Sequence, residues 1–224
     1  VSVSAQDEIE LNAAEGAVAP QLRAEFPGLR LLWLTVAGGL RPSTREVKRR
    51  LRELSSRYRG EHVVAMRTQP IPHAYRVFYR QIGLDPDTTR VPSEAAAVDR
   101  LMHGGFRSHS LIEDACLIAL IETGVPVLAL DADRVDVGGL GIRPTVERDR
   151  LGSGEYASEL PPGRLAVADA ECVHALLFEP VAPAHRVGRR TERVALFAIG
   201  VDGVPTIHLE EALWIAVEAA RSGS

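Results

Sequence analysis

The sequence predicts a mixed α+β fold, with a helix-rich first half and a strand-rich second half around one core. Three observations lead there. Capped segments with helical spacing fill the chain up to Gly124. Short apolar runs bounded by turn residues take over after it. The two kinds of element segregate instead of alternating, which argues against βαβ units and a parallel sheet. With 224 residues, 46% of them hydrophobic and 25% charged, the chain has ordinary globular composition and enough length to bury a sizeable core. It reads as a single domain over 1–224, with the polar residues 1–8 expected to be disordered.

The elements follow in order. Residues 9–25 have apolar points at Ile9, Leu11 and Leu22 and predict a helix interrupted at Pro20. The run "LRLLWLTVAGG" at 29–39 predicts a buried strand. Ser43 with Glu46 forms a capping box, and Val47, Leu51, Leu54 and Tyr58 continue it as a helix that Gly60 stops. After the prolines at 70 and 72, "HAYRVFYRQIG" predicts a helix ending at Gly83. Ser93 then caps a helix running to Gly104 and Gly105. A second capping box, Ser110 with Glu113, opens a strongly apolar helix that ends at Gly124. Strands are expected at 125–130, 140–146, 164–168, 172–178 and 193–200, with a polar loop or hairpin tip at 147–163. Asp202-Gly203 marks a turn, and 210–221 closes the chain as a helix.

Charge and composition limit the partners. The net charge of -4 gives no general attraction to nucleic acid, so any polyanion contact needs a local basic patch. Two such patches exist. Arg41 to Arg59 holds eight basic residues, and on a helix Arg45, Arg49 and Arg52 fall on the face opposite Val47, Leu51 and Leu54. Arg186, Arg189, Arg190 and Arg193 form the second, opposed only by Glu192. Either is a solvated surface or a phosphate-tracking face. Cys116 and Cys172 stand in unrelated contexts, which fits a reducing cytosol better than a disulfide scaffold. Neither a membrane span nor a secretory leader is expected, so the expected location is cytoplasmic.

Tests for chemistry are mostly negative. None of the seven histidines pairs with another His or Cys at zinc spacing. Cys172 and His174 alternate on an expected strand and share a face, but no third ligand is near in sequence. Cys116 sits inside an apolar helix as a small hydrophobe. No nucleophile elbow appears, and "GGLG" at 138–141 lacks the following helix a phosphate loop needs. No metal and no cofactor is expected.

The stretch "YRQIGLDPDTTRVPSEA" at 79–95 places Arg80 and Arg90 around a proline-pinned turn. Asp85 and Asp87 suit Asx turns there, and Arg80 and Arg90 are expected to brace the corner through Asp85, Glu94 or backbone carbonyls, the alternative being that they face a pocket and bind a carboxylate or phosphate. In order with "FPGLRLLWLTV", "SLIED", "GVPVLALDADRV", "LPPGRLAVAD" and "TERVALFAI", this stretch resembles the B3/B4 domain family. That family includes the tRNA-binding and editing module of the β subunit of bacterial phenylalanyl-tRNA synthetase, and free-standing proteins. The resemblance covers roughly residues 25–220.

It implies a B3/B4-like mixed fold with a pocket between two sub-parts. It also implies a free-standing protein that binds tRNA or aminoacyl-tRNA and is a candidate for trans-editing mischarged tRNA with a degenerate site, binding being favoured over catalysis; synthetase activity is not expected. The alternative is a non-catalytic module for an amino-acid-like small molecule. The implied pocket residues are Ser93, Glu94, Ser110 and Asp114, with Arg80 and His185 behind them; the implied RNA contacts are Arg45, Arg49, Arg52, Arg186, Arg189 and Arg190. Membrane and DNA are not expected partners. Departures from the family are specific. Ser110 and Leu117 stand where it carries Asn, Leu128 where the synthetase carries His, and Pro183, Ala184 and His185 near where it places a glutamate. Exchanging these donors for hydrocarbon makes the implied pocket greasier and weakens any ester hydrolysis in it.

Overall fold

The computed structural model describes residues 13–58 and 65–222. Among them are six α-helices: α1 (Pro20–Glu25), α2 (Arg45–Arg57), α3 (Pro70–Gln81), α4 (Pro92–His103), α5 (Leu111–Thr123) and α6 (Thr206–Arg221). The nine strands are β1 (Ala14–Val18), β2 (Arg30–Ala37), β3 (Val127–Asp131), β4 (Gly141–Pro144), β5 (Arg150–Leu151), β6 (Ser158–Glu159), β7 (Leu165–Ala168), β8 (Val173–Leu176) and β9 (Arg193–Gly200). They form one mixed sheet in the order β3-β9-β2-β1-β4-β7-β8-β5-β6. The fold is α+β, as the segregated sequence pattern requires.

The long pair β2 and β9 is antiparallel from Arg30 opposite Gly200 to Ala37 opposite Arg193. Val194 to Ile199 are fully buried, so β9 is covered on both faces and reads as a continuous apolar run. Burial of each large side chain there contributes about 1.5–3 kcal/mol. Helices α5 and α6 pack on each other and on β3 and β9, and α2 packs outside α5.

The N-terminal prediction is corrected. Residues 14–18 form a strand with every second residue buried, and the helix is only Pro20–Glu25. Proline at the first helical position loses no hydrogen bond and fixes a helical φ, so Pro20 starts the helix instead of interrupting one. Strand β1 then joins the halves, pairing antiparallel with β2 and parallel with β4. Gly16 is required at that junction: a Cβ there would lie 2.7 Å from the Leu140 carbonyl oxygen and from Leu31. The first residues of the expected 9–25 helix, the expected disorder at 1–8 and the Gly60 stop lie outside the described residues.

Two caps shift, the first by one residue and the second by two. Thr44, not Ser43, caps α2 by accepting from the Val47 amide (3.3 Å). Val91 stands at the N-cap of α4, Pro92 opens it, and the Ser93 hydroxyl is buried without a hydrogen-bond partner among the described residues. Ser110 caps α5 as expected, its hydroxyl accepting from the Glu113 amide (3.4 Å), but the Glu113 carboxylate returns to that hydroxyl (2.8 Å) and not to the Ser110 amide of a full capping box. The 147–163 stretch folds as a hairpin, with Arg150 opposite Glu159.

The 79–95 corner is braced by an arginine other than those expected. Arg76, buried on α3, donates from Nη1 to both oxygens of buried Glu94 (3.0 Å each) and from Nη2 to Asp87 (2.7 Å). Arg80 and Arg90 are exposed. The turn is closed locally, where Asp85 accepts from the Asp87 amide (3.0 Å). One helical turn separates Arg76 from Arg80, and only the former faces inward.

Candidate functional site

A cleft of about 400 Å³ opens between the start of α5, strand β3 and the loop at 180–187. Its walls are mainly hydrocarbon, from Ile112, Cys116, Val127, Leu128 and Val181, and its polar groups are the Ser110 hydroxyl, the Glu113 carboxylate and the Arg186 guanidinium. Leu40, 43% exposed, forms part of the rim.

Local bonds explain why these pieces meet. The Leu40 amide donates to the Gly188 carbonyl (3.2 Å) and the Leu111 amide to the Arg41 carbonyl (2.8 Å), so the segment after β2 lies between the 186–191 loop and the head of α5. Gly39 permits this approach, since a Cβ there would be 2.2 Å from the Thr191 carbonyl oxygen. The Thr191 hydroxyl in turn donates to buried Asp131 (2.7 Å), tying the loop to the end of β3. Arg41, Arg186, Arg189 and Arg190 are all exposed and come from these two adjoining segments. Farther along α2 the basic face is partly neutralised. Arg50 makes a two-pronged contact with Glu122 (2.9 and 2.7 Å), and Arg49 lies 3.9 Å from both Glu46 and Glu53. Arg45 and Arg52 are exposed.

The six residues implied for a pocket fall in different places. Ser110 lines the cleft. Asp114 is fully buried beneath it and accepts from the hydroxyls of Ser43 and Ser108 (2.5 Å each) and the His109 amide (2.8 Å). Glu94 is held by Arg76, Ser93 is buried nearby on α4, and Arg80 is exposed on α3. His185 turns to the other side of the 180–187 loop.

On that side lies a cluster the sequence did not reveal. Cys172, just before β8, and His174 within it lie two residues apart with their side chains together, and the amide of Ala182 donates to the His174 carbonyl (2.8 Å), folding the following loop back over the strand. A single 3-10 turn at Pro183–His185 then sets the His185 ring on that of His174, with the two Nδ1 atoms 2.9 Å apart. Cys172 Sγ is 3.9 Å from His174 Nδ1. The Asx turn between β7 and β8, in which Asp169 Oδ1 accepts from the Glu171 and Cys172 amides (2.8 and 3.0 Å), brings Asp169 Oδ2 to 3.1 Å from His174 Nε2. That approach is close but off the line of a hydrogen bond. Pairing of Leu151 with Val173, and the bond from the Gly152 amide to the Val173 carbonyl (2.8 Å), place Ser153 so that its hydroxyl is 3.0 Å from His185 Nε2.

Burial lowers the pKa of both rings; for His174 the neighbouring Asp169 opposes this and the His185 ring adds to it. Burial also acts to raise Asp169, but the amides of Cys172 and Glu171 and the nearby imidazole outweigh it and hold the carboxyl below its usual range. Burial, Asp169 and Glu171 raise the Cys172 thiol. Sequence spacing missed this group because its third member is 11 residues beyond His174; the available signals were the Cys-x-His alternation and Pro183, which marks a tight turn.

The cysteine on the cleft wall is chemically quiet. Burial and the Glu113 carboxylate push the Cys116 thiol up to about 12, leaving almost no thiolate near neutrality. A disulfide reagent at about pH 8 is therefore expected to modify Cys172 well before Cys116 in the native protein freed of metal by a chelator, and both in denaturant. Peptide mapping of the labelled chain checks this; fast native labelling of Cys116 would contradict the raised thiol pKa assigned to it.

Comparison with protein-family models gives no match, and comparison with curated protein sequences gives none either. The B3/B4 resemblance is carried by its ordered motifs alone. No helix among the described residues is long and apolar enough to cross a membrane.

Proposed function

We propose that this chain binds the aminoacyl end of a charged tRNA, with the amino-acid side chain in the apolar cleft and the nucleic acid along the basic lip formed by Arg41, Arg186, Arg189 and Arg190. The observation that carries the reading is the joining of that lip to the cleft. Arg186 belongs to both, and the Leu40–Gly188 bond brings the two basic segments to one end of it. An apolar floor recognises a side chain by burial, and a carboxylate and a guanidinium at the rim suit the polar groups of an amino acid and a phosphate. The lining holds no imidazole or carboxamide among the described residues, so it supports binding in preference to ester hydrolysis. Trans-editing would then need a water positioned largely by the substrate. A cytoplasmic location belongs to this proposal. A second reading, an amino-acid-like ligand without RNA, is favoured by the ion pairs that neutralise part of α2.

Fluorescence anisotropy with labelled tRNA, charged and uncharged, tests it. Affinity is expected to fall roughly tenfold or more between about 50 and 200 mM salt, and replacing Arg186, Arg189 and Arg190 with Ser should flatten that dependence. Leu128→Trp, which fills the floor, should abolish any preference for the charged form. No binding at low salt removes the RNA reading. A thermal shift with free branched or aromatic amino acids, lost in Leu128→Trp, would support the second.

A further inference from the structure

We propose that Cys172, His174 and His185 bind a divalent transition-metal ion of the zinc type through Sγ and the two Nδ1 atoms. Their candidate ligand atoms all lie within 4.8 Å of one another, with both histidines buried and Cys172 half-buried. A tetrahedral zinc ion with ordinary Zn–S and Zn–N bonds places its ligand atoms about 3.3–3.6 Å apart. The Nδ1–Nδ1 separation of 2.9 Å is slightly inside that range and the Sγ–Nδ1 separation of 3.9 Å slightly outside it. All the separations stay within 4.8 Å, so shifts on the order of an ångström bring the three ligand atoms onto one ion. A thiolate and two imidazoles are donors that select zinc or cobalt over magnesium or calcium.

The surroundings fit the same assignment. A ligating histidine commonly directs its other ring N–H at an oxygen that fixes its orientation. Here the far nitrogen of His174 is beside Asp169 Oδ2 (3.1 Å) and that of His185 beside Ser153 Oγ (3.0 Å), which leaves both near nitrogens facing each other and the sulfur. An ion at this point also gives the His174 Nε2–H a reason to turn fully onto Asp169, where it now lacks an aligned partner. With three protein ligands, the fourth position is left for water or another small donor. The site is separate from the cleft, across the 180–187 loop, and does not depend on what the cleft binds. The competing account is a direct N–H···N bond between neutral rings, and it requires no ion.

The experiment uses the whole chain, stripped with a chelator and dialysed against zinc or cobalt. About one equivalent of zinc is expected to remain bound, cobalt should give a thiolate-to-metal charge-transfer band with tetrahedral visible absorption, and zinc should shield Cys172 from a thiol reagent. Cys172→Ser should remove the charge-transfer band. Asp169→Asn should weaken zinc binding roughly 10- to 100-fold while keeping that band, as expected of a positioning residue. The proposal is overturned if the chain retains neither metal and Cys172 labels equally fast with and without zinc, the result the N–H···N account predicts. Zinc uptake unchanged in Cys172→Ser, with no cobalt–thiolate band in the parent chain, places the ion elsewhere and overturns it as well. Cys172 labelling in the unaltered protein decides the matter even if the Asp169 variant fails to fold.

Discussion

Arg76→Met is expected to lower the free energy of unfolding by about 3–5 kcal/mol, read as a fall in the urea midpoint with little change in slope. The side chain of Arg76 is 7% exposed and that of Glu94 only 3%. Truncating the arginine leaves the Glu94 carboxylate buried beside α3 with its main partner gone, and an unpaired buried charge costs far more than the ion pair gains. Arg67 is 3.7 Å from Glu94 but about half-exposed, so it recovers a small part and places the effect toward the lower end. The double variant Arg76→Met with Glu94→Gln removes the stranded charge, and it should regain much of the loss. Equal destabilisation in the single and double variants would show that lost packing around Arg76, and not the orphaned carboxylate, sets the cost.

The same corner shows what a sequence discloses and what it withholds. The turn itself was legible, because Asp85, Pro86 and Pro92 act on their own backbone. The bracing residue was not. Arg76 and Arg80 are chemically identical and one helical turn apart, and only the packing of α3 decides which is swallowed. Strand β9 was legible to its ends, since a strand covered on both faces has no polar alternation to confuse it. Strand β1 was hidden for the opposite reason: its residues Ala14, Gly16 and Ala17 are small, and its signal is an alternation only five residues long. The cleft was half visible. Ser110 and Leu128 line its wall, while His185 lies across the loop because the 3-10 turn at 183–185 reverses its direction. No local pattern encodes that reversal, and the Cys172–His174–His185 cluster depends on it.

Asp114→Ala is expected to cost about 3 kcal/mol and to weaken ligand binding in the cleft at the same time. The carboxylate is fully buried and joins three pieces of chain: Ser43 before α2, Ser108 and His109 before α5, and α5 itself. Removing it strands the Ser43 hydroxyl and the His109 amide, and it frees the segment that carries Leu40 at the rim. Asp114→Asn keeps one accepting oxygen but points an N–H₂ group at donors, so it should fall between the parent and the alanine variant. The B3/B4 resemblance implies a different role, a wall residue in contact with ligand. In that case Asp114→Ala would lose binding while the melting temperature stayed near that of the parent. Measuring the melting temperature and aminoacyl-tRNA anisotropy on the same two variants separates the roles. Parallel losses mark Asp114 as the clasp that shapes the cleft from below, whereas binding lost at full stability would put its carboxylate against the ligand and require the head of α5 to open.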